Sequence, residues 1–312
     1  MNSPLVSVIC ISHNHGLFIE EAISSVISQT YDQIEIILVD DSSDDNTPEV
    51  ICQLKRKFPH IQTILLNDYA GNCKAFNSGL ALARGDYIID LSADDLLLPD
   101  RIKDGLKCFH QRGNEYGVNF TDAAFIDETG NVTGYHYKRN TSGQLINEVP
   151  EGIIYEKLLA RYFICTPTMM IRRSVLDQLN GYDENLYYED FDFWVRSGKI
   201  TRYCYTDKVL VKKRALPGSL STKQYKRDSK MLHSTYLVCQ KAERLNESDA
   251  ERQALLQRAQ FEFRKALFSG NYRNAYDFSS LMLRNLKPGI RRSLVSVIHT
   301  ILSTAGEYME DD

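Results

Sequence analysis

Two pairs of adjacent carboxylates, Asp40-Asp41 and Asp94-Asp95, each follow a short apolar run. A third acidic pair, Glu189-Asp190, opens an aromatic segment that ends in Trp194-Val195-Arg196. Acids at the end of an apolar run can do either of two things. One or two carboxylates, completed by phosphate oxygens and water, hold a hard divalent cation such as Mg2+. Alternatively, an aspartate caps the helix that follows by accepting from its free N–H groups. Leu98-Pro99-Asp100 after the second pair suits a helix start and keeps the capping reading open there. Asp190 comes from a separate segment. It lies off the apolar face of that segment, where an acid on a solvated helix face would stand.

The elements that must position these groups are legible as alternating patterns. Residues 5–11, 34–39, 61–66 and 87–91 are apolar runs of strand length. Between them Ile19, Ala22, Ile23, Val26 and Ile27 recur on one helix face, Pro48 opens a helix reaching about Phe58, and 75–83 is a third helix. Four strand–helix alternations predict an α/β fold: a mostly parallel, Rossmann-like sheet with right-handed crossovers and helices on both faces. In such a sheet the loops after the strands share one edge, where ligands bind. Two acidic loops about fifty residues apart in sequence are thereby brought together. A helix follows to about His110, then strands at 116–121 and 123–126 and a hairpin turn at Asp127-Glu128-Thr129-Gly130-Asn131. Residues 134–150 read as a polar loop, either a mobile cover over the site or a plain surface loop. A strand at 169–171, a helix at 172–179, a helix carrying Phe191, Trp194 and Val195 on one face, and strand at 202–214 complete this part. From about Tyr225 the sequence is charged and helix-favouring, with a helical hairpin turning at Ser269-Gly270-Asn271. The expected organisation is one domain over 1–220 and a C-terminal helical extension over 221–312.

Composition narrows the function. The chain has 312 residues and a net charge of −4, so nothing favours a nucleic-acid partner. Seven scattered cysteines without a C-x-x-C pair suit a reducing compartment and small core residues. The apolar stretch 5–11 is short and lacks a basic flank, and no run is long enough to cross a bilayer. A cytoplasmic location is expected, with peripheral attachment at the inner face of the cell membrane left open. The absence of G-x-G-x-x-G after the first strand, and of G-x-x-x-x-G-K-[ST] anywhere, argues against a dinucleotide-binding enzyme and a P-loop nucleotidase.

The order of motifs resembles a family 2 glycosyltransferase of the GT-A, nucleotide-diphospho-sugar transferase fold. The residues that carry the resemblance are Val6-Ser7-Val8-Ile9 before Ser12-His13-Asn14, Val39-Asp40-Asp41-Ser42-Ser43-Asp44-Asp45, Asn77-Ser78-Gly79, and Ala83-Arg84-Gly85-Asp86-Tyr87-Ile88. Asp94-Asp95 before Leu98-Pro99, Met170-Ile171-Arg172-Arg173, Gly181-Tyr182-Asp183 and Glu189-Asp190 continue the pattern, which spans roughly 5–220. The resemblance implies transfer of a sugar from a UDP- or dTDP-type nucleotide-diphosphate-sugar to an acceptor hydroxyl, with inversion. It places Ser12, His13, Asn14 and Asp41 beside the nucleotide base, with Asp41 accepting from a ring N–H. Asp94, seconded by Asp95, is matched to the Mn2+ or Mg2+ that bridges the diphosphate, Lys74 to phosphate, and Asp190 to the general base. The implied acceptor is a glycan or lipid-linked glycan of cell-surface polysaccharide synthesis.

Three departures stand out. Ser92 occupies a position where many members have an acid, Phe76 one where an arginine is common, and Leu216 one where a histidine is common; Arg214 and Ser219 keep the pattern. These losses keep a second reading open, a catalytically silent nucleotide-sugar-binding or scaffold protein. A nucleotidyltransferase is a third reading, weakened because Ser12-His13-Asn14 is not a Gly-rich basic loop. Lys287-Pro288-Gly289-Ile290-Arg291-Arg292 and the apolar series Leu294, Val297, Ile298, Ile301 and Leu302 suit either membrane-surface contact through 287–305 or packing on the helical hairpin or a second subunit, as in a homo-oligomer.

Overall fold

In a computed structural model of the chain, residues 3–217 and 219–286 are described. The segment 287–305, read above as a membrane or packing helix, lies outside them. By contacts the chain forms two compact units. The first runs to Ile154 and takes in Phe163–Asn185 and Ile200–Leu216. The second comprises Tyr155–Tyr162, Leu186–Lys199 and the described residues from Pro217 onward. Two segments that precede the helical extension expected over 221–312 thus belong to this second unit.

The first unit is built on β1 (Val6–Ser12), α1 (Ile19–Ile27), β2 (Ile34–Asp40), α2 (Thr47–Lys57), β3 (Gln62–Leu65), α3 (Asn72–Leu82) and β4 (Tyr87–Ser92). Next come β5 (Leu96–Leu97), α4 (Arg101–Arg112), β6 (Tyr116–Ile126) and β7 (Val132–Tyr135). In the second unit lies α5 (Tyr155–Ala160); β8 (Met170–Arg172) and α6 (Arg173–Leu179) return to the first. The order ends with α7 (Asp190–Ser197) of the second unit, β9 (Arg202–Arg214) of the first, and α8 (Lys230–Leu245), α9 (Asp249–Phe268) and α10 (Tyr272–Asn285) of the second.

One sheet runs β3-β2-β1-β4-β8-β6-β9-β5, with β7 added to β6. The half formed by β3, β2, β1 and β4 is parallel, as the alternation requires. Beyond β4 the sheet is mixed: β8 is antiparallel to both β4 and β6, while β6 and β9 are parallel. β1 is buried at every residue because helices cover both faces. Val6, Val8 and Cys10 pack with Ile36 and Leu38 against Ile19, Ile23 and Val26 of α1 and Ile51 and Leu54 of α2. The other face, through Ile9, Ile37 and Val39, meets α3 at Gly79. A Cβ on Gly79 would stand 2.5 Å from Ile9, so this helix approaches the sheet closely only with glycine there. α2 begins with Pro48 and Glu49 and ends with Lys55, Arg56 and Lys57, the charge order its macrodipole favours.

Residues 116–126 form one strand with register shifts between Thr121 and Ala123, where two strands were expected. The segment 134–150, read as a candidate mobile cover, is pinned. The carboxylate of Asp122, fully buried, accepts from the Tyr137 N–H at 3.1 Å and from Arg139 at 3.1 Å, and Arg139 also pairs with Asp207 at 2.5 Å. Cys10, Cys73, Cys108, Cys165, Cys204 and Cys239 are buried, as expected for core thiols, and Cys52 is exposed.

In the second unit, α9 opens with a capping box in which Ser248 and Glu251 satisfy each other's backbone N–H groups. Its Arg258 and Glu262, buried, pair at 3.0 Å. No helix among the described residues is long and apolar enough to cross a membrane.

Candidate active site

The carboxyl ends of β1, β2 and β4 lie side by side. Ser12 is in register with Asp40 of β2, and Ile11 with Ser92 of β4. The loops after β1 and β2 are laced together. Asn14, at φ 59°, donates its N–H to Ser43 Oγ at 2.8 Å and accepts from the Asp44 N–H at 2.7 Å. The side-chain oxygen of Asn14, a residue expected at the nucleotide, thus helps to hold this loop. Ser12 is fully buried, and its hydroxyl has no hydrogen-bond partner among the described residues.

Asp41 is 2 % exposed. Its carboxylate accepts the backbone N–H groups of Ala70 at 2.7 Å and Gly71 at 2.9 Å. These belong to the turn that starts α3, where Gly71 sits at φ 85°, a conformation that favours glycine. The same turn sets the Tyr69 ring 4.8 Å from the ring of His13. His13 in turn donates from Nδ1 to the Asp41 carbonyl at 2.8 Å. His13, Asp41 and half-exposed Tyr69 thus bring two ring faces and a carboxylate together at this edge. Tyr69 was not singled out from the sequence. Its signal is an exposed aromatic inside the polar stretch Asn67-Asp68-Tyr69-Ala70-Gly71.

Lys74, in the first turn of α3, is exposed. Phe76, in place of the arginine common in the motif, is fully buried and stacks on Tyr182 at 4.1 Å. Asn77 binds the same segment: its amide donates to the Tyr182 carbonyl and its oxygen accepts the Tyr182 N–H, each at 2.9 Å. The Asn77-Ser78-Gly79 and Gly181-Tyr182-Asp183 motifs are therefore two halves of one packing contact.

After β4 the chain turns through Ser92-Ala93-Asp94-Asp95. The Ser92 hydroxyl donates to Asp94 Oδ1 at 2.5 Å, and His15 Nε2 lies 4.0 Å from Asp94 Oδ2. Burial lowers the His15 pKa below its ordinary value, although the Asp94 charge pulls the other way. Asp95 is buried, accepts the Arg214 N–H at 2.8 Å, and is pushed up to about 8 by burial and then by Asp94. The turn itself is clamped by Arg214, also buried. Its guanidinium donates to the Asp94 carbonyl at 3.1 Å and to the Asp127 and Glu128 carbonyls at 2.9 Å, pairs with Glu21 at 2.7 Å, and lies over the Phe18 ring. Arg214→Met should leave three part-buried carbonyl contacts without their donor. It should cost about 2–4 kcal/mol, since each lost charge-assisted bond and desolvated acceptor adds to the penalty. Urea unfolding checks this, and an unchanged midpoint would remove the clamp.

Among the described residues no group of three or more His, Cys, Asp or Glu side chains could hold a metal ion. Asp94 with the Ser92 hydroxyl and His15 beside it is a sparse set. It fits a cation whose remaining positions are taken by substrate phosphates and water, and does not fit an all-protein cage.

Asp190 is placed by the second unit. It is half-buried at the start of α7, whose Phe191, Trp194 and Val195 are buried as their spacing predicted. The neighbouring Asp192, 1 % exposed, pairs with Arg196 and with Lys241, each at 2.6 Å. The strand-edge residues Ser12, His13, Asn14, Asp41, Asp94 and Asp95 are thus gathered by the first unit, with Lys74 on the adjacent helix; Asp190 comes from the other.

Comparison with known proteins bears on this geometry. A glycosyltransferase of Methanocaldococcus jannaschii is 30% identical over 203 residues, 63% of this chain and 65% of the relative. A glycosyltransferase of Rickettsia felis is 24% identical over 98% of this chain and 50% of its own length. The chain thus spans about half to two thirds of the length of these curated relatives. TuaG of Bacillus subtilis, named for teichuronic acid biosynthesis, is 27% identical over 78% of this chain and 90% of its own. Among solved structures, residues 1–349 of S. aureus TarS with UDP-GlcNAc superpose with a TM-score of 0.70 at 17% identity, covering 99% of this chain and 92% of that one. The mannosyltransferase PcManGT of Pyrobaculum calidifontis with GDP-Man and Mn2+ gives 0.60 at 17% identity, covering 98% and 87%. The fold is that of GT-A glycosyltransferases. Residues 7–179, more than half of the chain, match the profile described as Glycosyl transferase family 2; the chain belongs to that family.

Proposed function

We propose that the chain is an inverting glycosyltransferase that moves a sugar from a UDP- or dTDP-type donor to an acceptor hydroxyl with the help of Mn2+ or Mg2+. The observation that carries this reading is the convergence, along one sheet edge, of the His13–Asp41–Tyr69 cluster and the Ser92–Asp94 turn. The first suits a planar base, the second a diphosphate with its cation. Support also comes from the UDP-GlcNAc and the GDP-Man with Mn2+ bound by the structural neighbours. The name of the Bacillus subtilis relative supports an acceptor glycan in cell-surface polysaccharide synthesis.

Asp94 is the residue that would hold the cation, with Asp95 behind it. When bound, the ion supplies charge stabilisation to the departing diphosphate. The protein's own residues do the rest. His13 and Tyr69 flank the base, and Asp41, already bonded to two backbone N–H groups, keeps lone pairs free for a ring N–H. Asp190 takes the proton of the acceptor hydroxyl as the new C–O bond forms at the anomeric carbon and the bond to the diphosphate breaks. A single displacement on the opposite face inverts the configuration, as in single-displacement glycosidases.

A thermal-shift screen of nucleotide-sugars with and without Mn2+ tests donor and metal together. A donor at 100 times its Kd should stabilise the protein by about 2.7 kcal/mol, and the shift should grow with Mn2+. A protein indifferent to every nucleotide-sugar in both conditions would contradict the proposal.

A further inference from the structure

The Ser92–Asp94 turn offers a cation little by itself. Ser92 is neutral, and its hydroxyl is directed to Asp94 Oδ1. One anionic oxygen, Oδ2, is left on the other side of the carboxylate, and that side faces the His15 ring. The 4.0 Å between Oδ2 and Nε2 is too long for a hydrogen bond. It is still less than the ~4.2 Å that two donors can be apart and share one ion at bonds of about 2.1 Å.

The fold fixes where His15 stands. Its N–H donates to Thr47 Oγ1 at 3.0 Å, and its carbonyl accepts from the Phe18 and Ile19 N–H groups at 2.9 and 3.0 Å. Backbone bonds to the start of α2 and of α1 thus hold the residue from both sides. The ring, in contrast, makes no hydrogen bond among the described residues. Nδ1 is buried without a hydrogen-bond partner among the described residues. No hydrogen bond at Nδ1 fixes the tautomer, so the neutral ring can turn its Nε2 lone pair toward Asp94. His15 lies in the loop after β1.

We propose that His15 and Asp94 bind the divalent cation together, His15 supplying through Nε2 the protein ligand that Ser92 cannot. The inference rests on the metal-dependent reading above and deepens it. It has a consequence for metal choice. Imidazole suits transition ions, whereas Mg2+ is served by oxygen ligands alone. The site therefore favours Mn2+ over Mg2+ by more than an all-oxygen site would.

The test is binding of Mn2+, in the presence of UDP, to the full chain and to His15→Gln, His15→Ala and Asp94→Ala, followed by the paramagnetic resonance of free Mn2+. Both His15 variants should bind Mn2+ at least about tenfold more weakly, the scale on which even supporting residues of metal sites act. Their affinity for UDP without metal and their melting temperatures should match the parent. Electron spin echo modulation should show directly coordinated nitrogen on Mn2+ in the parent and none in His15→Gln. If both His15 variants bind Mn2+ as the parent does while Asp94→Ala does not, the His15 assignment falls and the metal reading stands. If the parent takes up no Mn2+ beyond that carried by UDP, both fall.

Discussion

Asp190→Asn is expected to lower turnover by roughly 10²–10⁴-fold, the range of general-base assistance, while leaving nucleotide binding intact. The substitution keeps the shape of the side chain and removes its ability to accept a proton from an alcohol. Its cost to the fold should be small. Asp190 is half-buried in the first turn of α7, where a favourable charge at a helix N-terminus is worth about 0.3–1 kcal/mol. The neighbouring acid gives the contrast that makes the experiment decisive. Asp192 is 1 % exposed and tied to Arg196 and Lys241. Asp192→Asn should cost about 2–3 kcal/mol, below the cost of breaking a fully buried pair because both cations reach solvent. Two acids two residues apart are thus expected to separate, one acting on rate and the other on stability. Release of UDP from a UDP-sugar donor, with urea unfolding of each variant, reads both. Asp190→Asn turning over at the parental rate would remove the base assignment.

The parallel half of the sheet was legible because its central strands β1 and β2 are mainly apolar and buried along nearly their whole length, the pattern of strands covered on both faces. The acidic loops were legible for a related reason: strand ends of a parallel sheet share an edge, so position in the pattern specifies position in space. Other features depend on partners far away in the chain. β5 has two residues and exists through its pairing with Leu96↔Lys212 and Leu97↔Val211. The 134–150 segment is polar and looks loose in sequence, yet Asp122 and Asp207 hold Arg139 from β6 and β9. His15 and Tyr69 owe their places at the site to loop conformations that no periodicity encodes. Phe76 is the reverse case. It read as a missing arginine, and the structure makes it a core residue whose ring Tyr182 covers. Arg214 was visible as a surviving motif residue, but its clamp on the Asp94 turn depends on Glu21, Asp127 and Glu128, which lie roughly 90 to 190 residues away.

That clamp is why Asp94→Ala should be a clean test of the cation site. The turn does not rest on the Asp94 side chain. The Ala93 N–H donates to the Ile11 carbonyl at 2.9 Å, the Asp94 carbonyl is held by Arg214, and Asp95 is held by the Arg214 N–H. Removing the Asp94 carboxylate frees only the Ser92 hydroxyl and the side of the turn facing His15. The variant should therefore fold, with an unfolding midpoint within about 1 kcal/mol of the parent. Its chemistry should fail. A metal acting on a leaving diphosphate is worth several kcal/mol of transition-state stabilisation, so turnover should drop by about 10²–10³-fold or more. The Mn2+-dependent part of nucleotide-sugar protection should vanish with it. Ser92→Ala loses one hydrogen bond that orients the carboxylate and should cost far less, about 0.5–1.5 kcal/mol in metal affinity. Ser92→Asp, which adds a second anionic oxygen at the same turn, should bind Mn2+ more tightly than the parent. The order Ser92→Asp, parent, Ser92→Ala, Asp94→Ala in Mn2+ affinity follows from charge count and orientation at one turn. A series in which Asp94→Ala keeps the parent's Mn2+-dependent protection would place the cation elsewhere.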